Sequence, residues 1–434
     1  MTGSINQGGR PMKSNNAIHV SLWENQVGTL YWDTREALSY FEFDPMFLEK
    51  GLDVSPIIHG LPKLKEQKNL PIKGIRGRFK GLPPFVADSL PDRWGSKVFA
   101  SWCQQQKINP NEITPLDFLL YLGKRGMGAF EFEPAFDIGT KDASTINVVE
   151  LYQYAQAILQ NRLDLRLTMD DSLALQDIFK VGTSAGGQRP KAIIAIKKGL
   201  DEPDVICSGQ GDVPEGFRHA ILKFQEHDYP SAELEMTYYE MAKACGIRMM
   251  DSEMIKCEGV NHFLTYRFDR VGNDKVFSQT LMALYPSADS YEGFLYVVKA
   301  LGLGYRDILE AFRRMAFNVI ACNVDDHAKN FSFLMNHKGQ WSLSPAYDLT
   351  FSIDLEALPF ENYHTFSVNS KVSDITDEDM LEVAARFDLK KGDARKAIDE
   401  VKTSVRLFPE IAKKQEVPEE WIEKIIAFLE QSTR

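Results

Sequence analysis

Cysteine is scarce and scattered. Cys103, Cys207, Cys245, Cys257 and Cys322 form no C-x-x-C pair, which excludes a disulfide framework and a thiolate zinc site and fits reduced thiols in the cytoplasm. Long apolar runs are also missing. The stretches around Phe294–Leu303 and Met315–Val324 are broken by polar or Gly residues and fall short of the roughly 18 residues a membrane span needs, so no membrane partner is expected. The first sixteen residues, MTGSINQGGRPMKSNN, lack the apolar stretch of a signal peptide and read as a flexible leader, 1–16. Positive charge is in deficit: 50 Lys and Arg against 61 Asp and Glu give a net charge of −11. That argues against a broad electrostatic grip on nucleic acid and leaves room for a local basic patch or a partner that supplies the DNA contact. What remains is ample core material, 44% hydrophobic with 26% charged residues, the make-up of a globular chain.

Alternating apolar residues predict two short strands in AIHVSLW and GTLYW, with a turn at Glu24-Asn25-Gln26. Asp88 to Asp92 reads as a turn and helix cap with the following residues helical, and Thr114-Pro115 opens another helix through Leu122. A polar stretch near Asp137–Thr145 marks a boundary, so 17–138 reads as one α+β unit. Helices are predicted over Val148–Gln160 and Met169–Val181. Strands follow in AIIAIKK and HAILKF, then a helix over 231–246 ended by Gly246, and two more strands in MIKCEG and HFLTYRFDR. From Tyr291 the pattern is mostly helical, interrupted by NFSFLM, WSLS and HTFSV as short strands.

The chemistry concentrates in NVDDHAKNFSFL, residues 323–334. Asp325 and Asn330 are spaced as the Asp and Asn of the protein-kinase pattern H-R-D-L-x-x-x-N, where the Asp orients a hydroxyl and the Asn holds a nucleotide-bound metal. Asp348 in SPAYDL stands where a second metal ligand would be needed. Asp326 fits the spacing less well and reads as a supporting residue. Read alone, the segment is equally a polar loop after a helix, since Asp and Asn are common there. Upstream, GTSAGGQRPK has the glycines of a backbone anion nest but not the Walker pattern. Lys223 lies in the strand HAILKF, where apolar neighbours on both sides favour a buried position, and Glu235 lies on the next helix. A strand Lys paired with a helix Glu is how kinases hold nucleotide phosphates.

Taken in order, FVADSLPDRWG, GTSAGGQRPK, HAILKF, ELEMTYYEMAKACGI, FLTYRFDR, DDHAKNFSF and LSPAYDL run through most of the chain, which resembles the HipA family of bacterial toxin–antitoxin serine/threonine kinases. The resemblance implies an α+β, two-lobed protein-kinase-like fold with an added N-terminal α+β domain over 17–138. The region 139–268 would be N-lobe-like, and 269–434 a largely helical C-lobe. It implies Asp325 as catalytic base, Asn330 and Asp348 as Mg²⁺ ligands, Lys223 as ATP-binding lysine and Glu235 as its partner. Ala185, Gly186, Gly187, Gln188 and Lys191 are the expected ATP contacts in and after the Gly-rich loop. Tyr266 and Phe268 would meet adenine, although family members often have Glu in place of Tyr266; His327 would lie close to the nucleotide. Thr183 or Ser184 would be autophosphorylated, placing charge where ATP phosphates must sit. The implied partners are a helix-turn-helix, HipB-like antitoxin, through which alone DNA is reached, and a protein substrate such as an aminoacyl-tRNA synthetase. The alternatives are a kinase-shaped corepressor acting through the antitoxin and a small-molecule kinase of similar fold.

Overall fold

A computed structural model describes residues 16–67, 70–136, 146–159, 189–199, 203–355 and 362–433. The expected leader, the polar boundary near 137–145, the helix over 169–181 and the loop GTSAGGQ fall essentially outside the described residues. Contacts divide the chain into two units. The first comprises 1–52, 61–221 and 269–277; the second comprises 53–60, 222–268 and 278–434.

In the first unit, β1 (Ala17–Leu22), β2 (Asn25–Asp33), β3 (Leu38–Phe43) and β4 (Ile72–Lys73) form an antiparallel meander. Ile18, Val20 and Leu22 are buried at every second position of β1, so one face of the sheet is apolar. The hairpin turn is Trp23-Glu24 and not residues 24–26: both have left-handed φ, +49° and +63°, while Asn25 already pairs with Leu22. Side chains explain a turn made without glycine. Asn25 Nδ2 donates to the carbonyls of Leu22 and Trp23 at 3.2 and 2.7 Å, and the Trp23 indole donates to Lys275 O at 2.8 Å.

Two helices follow as expected. In α1 (Arg93–Gln105) Asp92 caps by accepting from Gly95 N at 2.8 Å, and α2 (Pro115–Leu122) opens with a Thr114–Asp117 capping box. Next come β5 (Phe130–Glu133), which pairs with β1, and α3 (Val148–Leu159). Strands β6 (Lys191–Lys197) and β7 (Val205–Ser208) pair antiparallel. Strand β8 (Arg218–Lys223) leads the chain out of the first unit.

The second unit opens with α4 (Ser231–Ala244), packed on the hairpin of β9 (Ser252–Cys257) and β10 (Val260–Tyr266). The helix stops where Gly246 takes φ +83°, an ordinary glycine role. Then α5 (Tyr291–Ala300) and α6 (Tyr305–Ile320) pack together, followed by the small hairpin β11 (Ser332–Met335) and β12 (Trp341–Leu343). The chain ends in α7 (Asp377–Arg386), α8 (Lys391–Val405), α9 (Phe408–Lys414) and α10 (Glu419–Ser432). HTFSV, expected as a strand, makes only two isolated bridges, Ser367 with Ser290 and Val368 with Lys371. Its amides are occupied elsewhere: Thr365 and Phe366 both donate to the buried carboxylate of Asp326.

None of the five cysteines is in a disulfide. Burial pushes the thiols of Cys245 and Cys322 up to about 11 and that of Cys103 to about 12, so all three are poor nucleophiles at neutral pH. Among the described residues no helix is long and apolar enough to cross a membrane.

Candidate active site

The centre of the site is a lysine between two carboxylates. Strand β8 buries Ala220 and Leu222 and delivers Lys223 at its end, where the side chain is almost fully covered. The first turns of α4 bring up Glu235, also buried. Lys223 Nζ donates both to Glu235 and to Asp348, residues far apart in sequence, and it sits 5.7 Å from the centre of the Phe263 ring. Burial works against the ammonium charge, but Asp348 and Glu235 outweigh it and hold Lys223 above the usual lysine range. Asp348 is the more open of the two carboxylates, 27% exposed. Its φ of +53° is uncommon for a residue with a Cβ, and it turns a carboxylate from the segment after β12 toward the lysine.

The loop after α6 supplies the second part. It leaves the helix through Cys322, another left-handed residue at φ +55°. The Asp325 carboxylate is 60% exposed, with His327 Nε2 3.7 Å away. Asn330 Nδ2 donates to Asp325 O at 2.8 Å, which fixes the amide and leaves Oδ1 as its accepting or metal-ligating atom. His327 Nδ1 is shielded from solvent and meets no hydrogen-bond partner. Asp326 does the opposite of its neighbour. It is fully buried, and it accepts from Tyr291 OH (2.7 Å), His364 Nδ1 (2.8 Å), Thr365 N (2.8 Å) and Phe366 N (3.2 Å). Two adjacent aspartates thus have separate surroundings, one structural and one open to solvent.

The other expected contacts are placed as follows. Tyr266 ends β10, with its hydroxyl on Glu253 Oε1 at 3.0 Å and its amide on Asp251 O. Phe268 lies two residues on, its ring 5.6 Å from that of Tyr347. Lys191 belongs to the first unit, where it is buried and ion-paired with Asp92 at 3.7 Å. Thr183, Ser184, Ala185, Gly186, Gly187 and Gln188 lie outside the described residues. Sequence reasoning passed over Tyr291, Asn318, Asn323 and Ser352, which join Asp326 to the backbone of Asp325. A signal existed for one of them: Asn318 is a polar interruption in the apolar end of α6, and buried polar groups need partners.

The fold and this cluster define a mixed helix-and-sheet protein in which a strand lysine, a helix glutamate and a loop aspartate share one centre. Residues 18–133 match the HipA N-terminal domain and residues 183–407 the HipA-like C-terminal domain. The chain belongs to the HipA family. A similar solved structure comes from the Shewanella oneidensis MR-1 "Toxin Antitoxin System HipA, HipB and its operator DNA complex". It covers 96% of each chain at a TM-score of 0.63 with 14% identity, a likeness of fold. The Sinorhizobium fredii protein named "Putative kinase Y4dM" is 28% identical over 225 residues, 46% of this chain and 53% of its own. The chain thus spans about half the length of that curated relative.

Proposed function

We propose that this protein is an ATP-dependent serine/threonine protein kinase, the toxin of a type II toxin–antitoxin pair. The observation that carries the reading is Lys223 bonded at once to Glu235 and Asp348, the lysine–glutamate pair and metal-binding aspartate that phosphoryl transfer uses. Lys223, with the backbone of Ala185, Gly186, Gly187 and Gln188, holds ATP phosphates, aided by Lys191. Tyr266, Phe268 and His327 border the base and sugar. Asn330 and Asp348 would hold Mg²⁺ through oxygen, and the ion would supply positive charge against the phosphates. Among the described residues no group of three or more His, Cys, Asp or Glu could hold a metal. Asn330 and Asp348 offer oxygen, the donor suited to an ion that takes one or two protein ligands and completes its shell with phosphates and water. Asp325, exposed beside His327, orients the substrate hydroxyl for in-line attack, so catalysis is chiefly positioning.

The domain reading of 17–138, 139–268 and 269–434 belongs to the same proposal. So do a cytoplasmic location and a helix-turn-helix antitoxin like HipB, through which the acidic chain reaches DNA. The protein substrate is of the aminoacyl-tRNA synthetase kind, and Thr183 or Ser184 takes a phosphate that switches ATP binding off. A radiolabel transfer assay tests the core of the reading. Wild-type protein should incorporate phosphate with ATP and Mg²⁺, and Asp325→Ala should lose at least about a hundredfold in rate. Equal incorporation by both rules the mechanism out. Peptide mapping of residues 180–191 after reaction locates the modified hydroxyl.

A further inference from the structure

A buried line of polar side chains runs from Asp326 to the amide of Asp325. Tyr291 OH, donating to Asp326, accepts from Asn318 Nδ2 at 2.8 Å. Asn318 Oδ1 accepts from Asn323 Nδ2 at 3.0 Å. Asn323 Oδ1 accepts from Ser352 Oγ at 3.2 Å, and Ser352 Oγ accepts the N–H of Asp325 at 3.0 Å. A branch leaves midway: Asn323 Nδ2 also reaches Asp348 O at 3.5 Å. The segment carrying Ser352 is tied back as well, its amide donating to Cys322 O at 3.3 Å.

Helix capping, a turn motif or core filling would each explain one of these bonds. None explains why the chain of donors starts at the backbone N–H of the exposed Asp325, ends on the carboxylate of buried Asp326 and branches to the backbone of Asp348. Tyr291, Asn318 and Asn323 are buried, where an unmade hydrogen bond is costly, so each fixes its neighbour's orientation. The two backbone positions they tie together, 325 and 348, lie on separate loops. Both loops have a left-handed residue, Cys322 or Asp348 itself, and strained positions persist only when surroundings over-determine them.

We propose that Asn323 and Ser352 are positioning residues that lock the Asp325 loop in register with Asp348. They set the relative placement of the hydroxyl-orienting and metal-binding carboxylates without touching nucleotide. This rests on the kinase reading above. Its consequence is a separation of effects: losing the bond displaces Asp325 and slows transfer, while Lys223 and the phosphate loop still bind ATP.

The test compares full-length wild type with Ser352→Ala, Asn323→Ala and the conservative Ser352→Thr, which keeps the hydroxyl. Phosphoryl transfer at saturating MgATP is measured with KM for ATP, together with amide hydrogen exchange over residues 323–327 without nucleotide. Ser352→Ala should lose about tenfold or more in kcat, as small misplacements do, with KM within twofold and faster exchange at 323–327. Ser352→Thr should restore both. If wild type transfers phosphate and Ser352→Ala matches it in rate and exchange, the positioning role is wrong and the kinase reading stands. A uniform loss of kcat and affinity that Ser352→Thr does not rescue reduces both residues to plain structural ones and overturns the proposal. A wild type that transfers nothing removes the kinase reading and this role with it.

Discussion

Lys223 shows how much one residue's burial can decide. Exposed, its two ion pairs would be worth little. Covered as it is, removing the ammonium would leave Glu235 as a buried carboxylate beside Asp348, the situation that costs most. His262 is the opposite case, a titratable group kept uncharged. It is buried on β10, its Nδ1 accepts the Gln225 amide at 3.1 Å, and burial lowers its pKa to about 4. Because the native pKa lies below the unfolded value near 6.5, the unfolded chain takes up the proton first as pH falls. Stability is therefore undiminished above about 6.5 and declines toward pH 4, by about 3 kcal/mol in total from this residue. Urea midpoints at pH 7 and pH 5 should differ in that direction. His262→Gln, which can still accept the Gln225 amide, should flatten the difference. An unchanged pH slope in His262→Gln would show that another group titrates.

At the scale of elements, legibility followed locality. Helices α1 and α2 were readable because their start signals, Asp92 and Thr114-Pro115, lie beside the residues they cap. Lys223 and Glu235 were legible because a strand end and the next helix are close in sequence. The hairpin turn was misread by a residue or two because Trp23 and Glu24 carry no turn signature; the indole bond to Lys275, 252 residues away, is not visible locally. HTFSV failed for the same reason: its β-prone residues are recruited by Asp326, whose burial only the fold determines. The Tyr291–Asn318–Asn323–Ser352 line joins three separate stretches of chain, and no spacing rule could have assembled it. The capping box at α2 gives a direct test of the local part. The Asp117 carboxylate accepts from the amide and hydroxyl of Thr114, both at 2.7 Å. Thr114→Ala should lower unfolding free energy by about 1 kcal/mol and Thr114→Ser by much less, read from chemical denaturation. Equal losses would mean that the Thr114 methyl, and not its hydroxyl, is what matters there.

At the scale of the molecule, charge sets the terms for any nucleotide. The chain carries a net −11, and in the described part of the candidate site the ammonium of Lys223 stands with the carboxylates of Glu235, Asp348 and Asp325. A polyphosphate approaching such a centre meets repulsion unless a divalent cation comes with it. Lys223 also occupies Asp348, so a metal must compete with an internal cation, which favours joint entry of metal and nucleotide. Ligand that binds only the folded state adds about 2.7 kcal/mol at a hundredfold excess over its Kd. The expected result in a thermal scan is a small shift with ATP alone, none with Mg²⁺ alone, and a shift of several degrees with both. Asp348→Asn should keep the shift with ATP alone and lose the Mg²⁺-dependent increment, because the amide is a neutral and poorer ligand for a hard cation. A full increment in Asp348→Asn would remove that residue from the metal site. Absence of any Mg²⁺-dependent shift in the wild type would turn the reading toward a kinase-shaped binding module, since phosphoryl transfer from ATP needs a metal to neutralise the charge that develops on the transferring group.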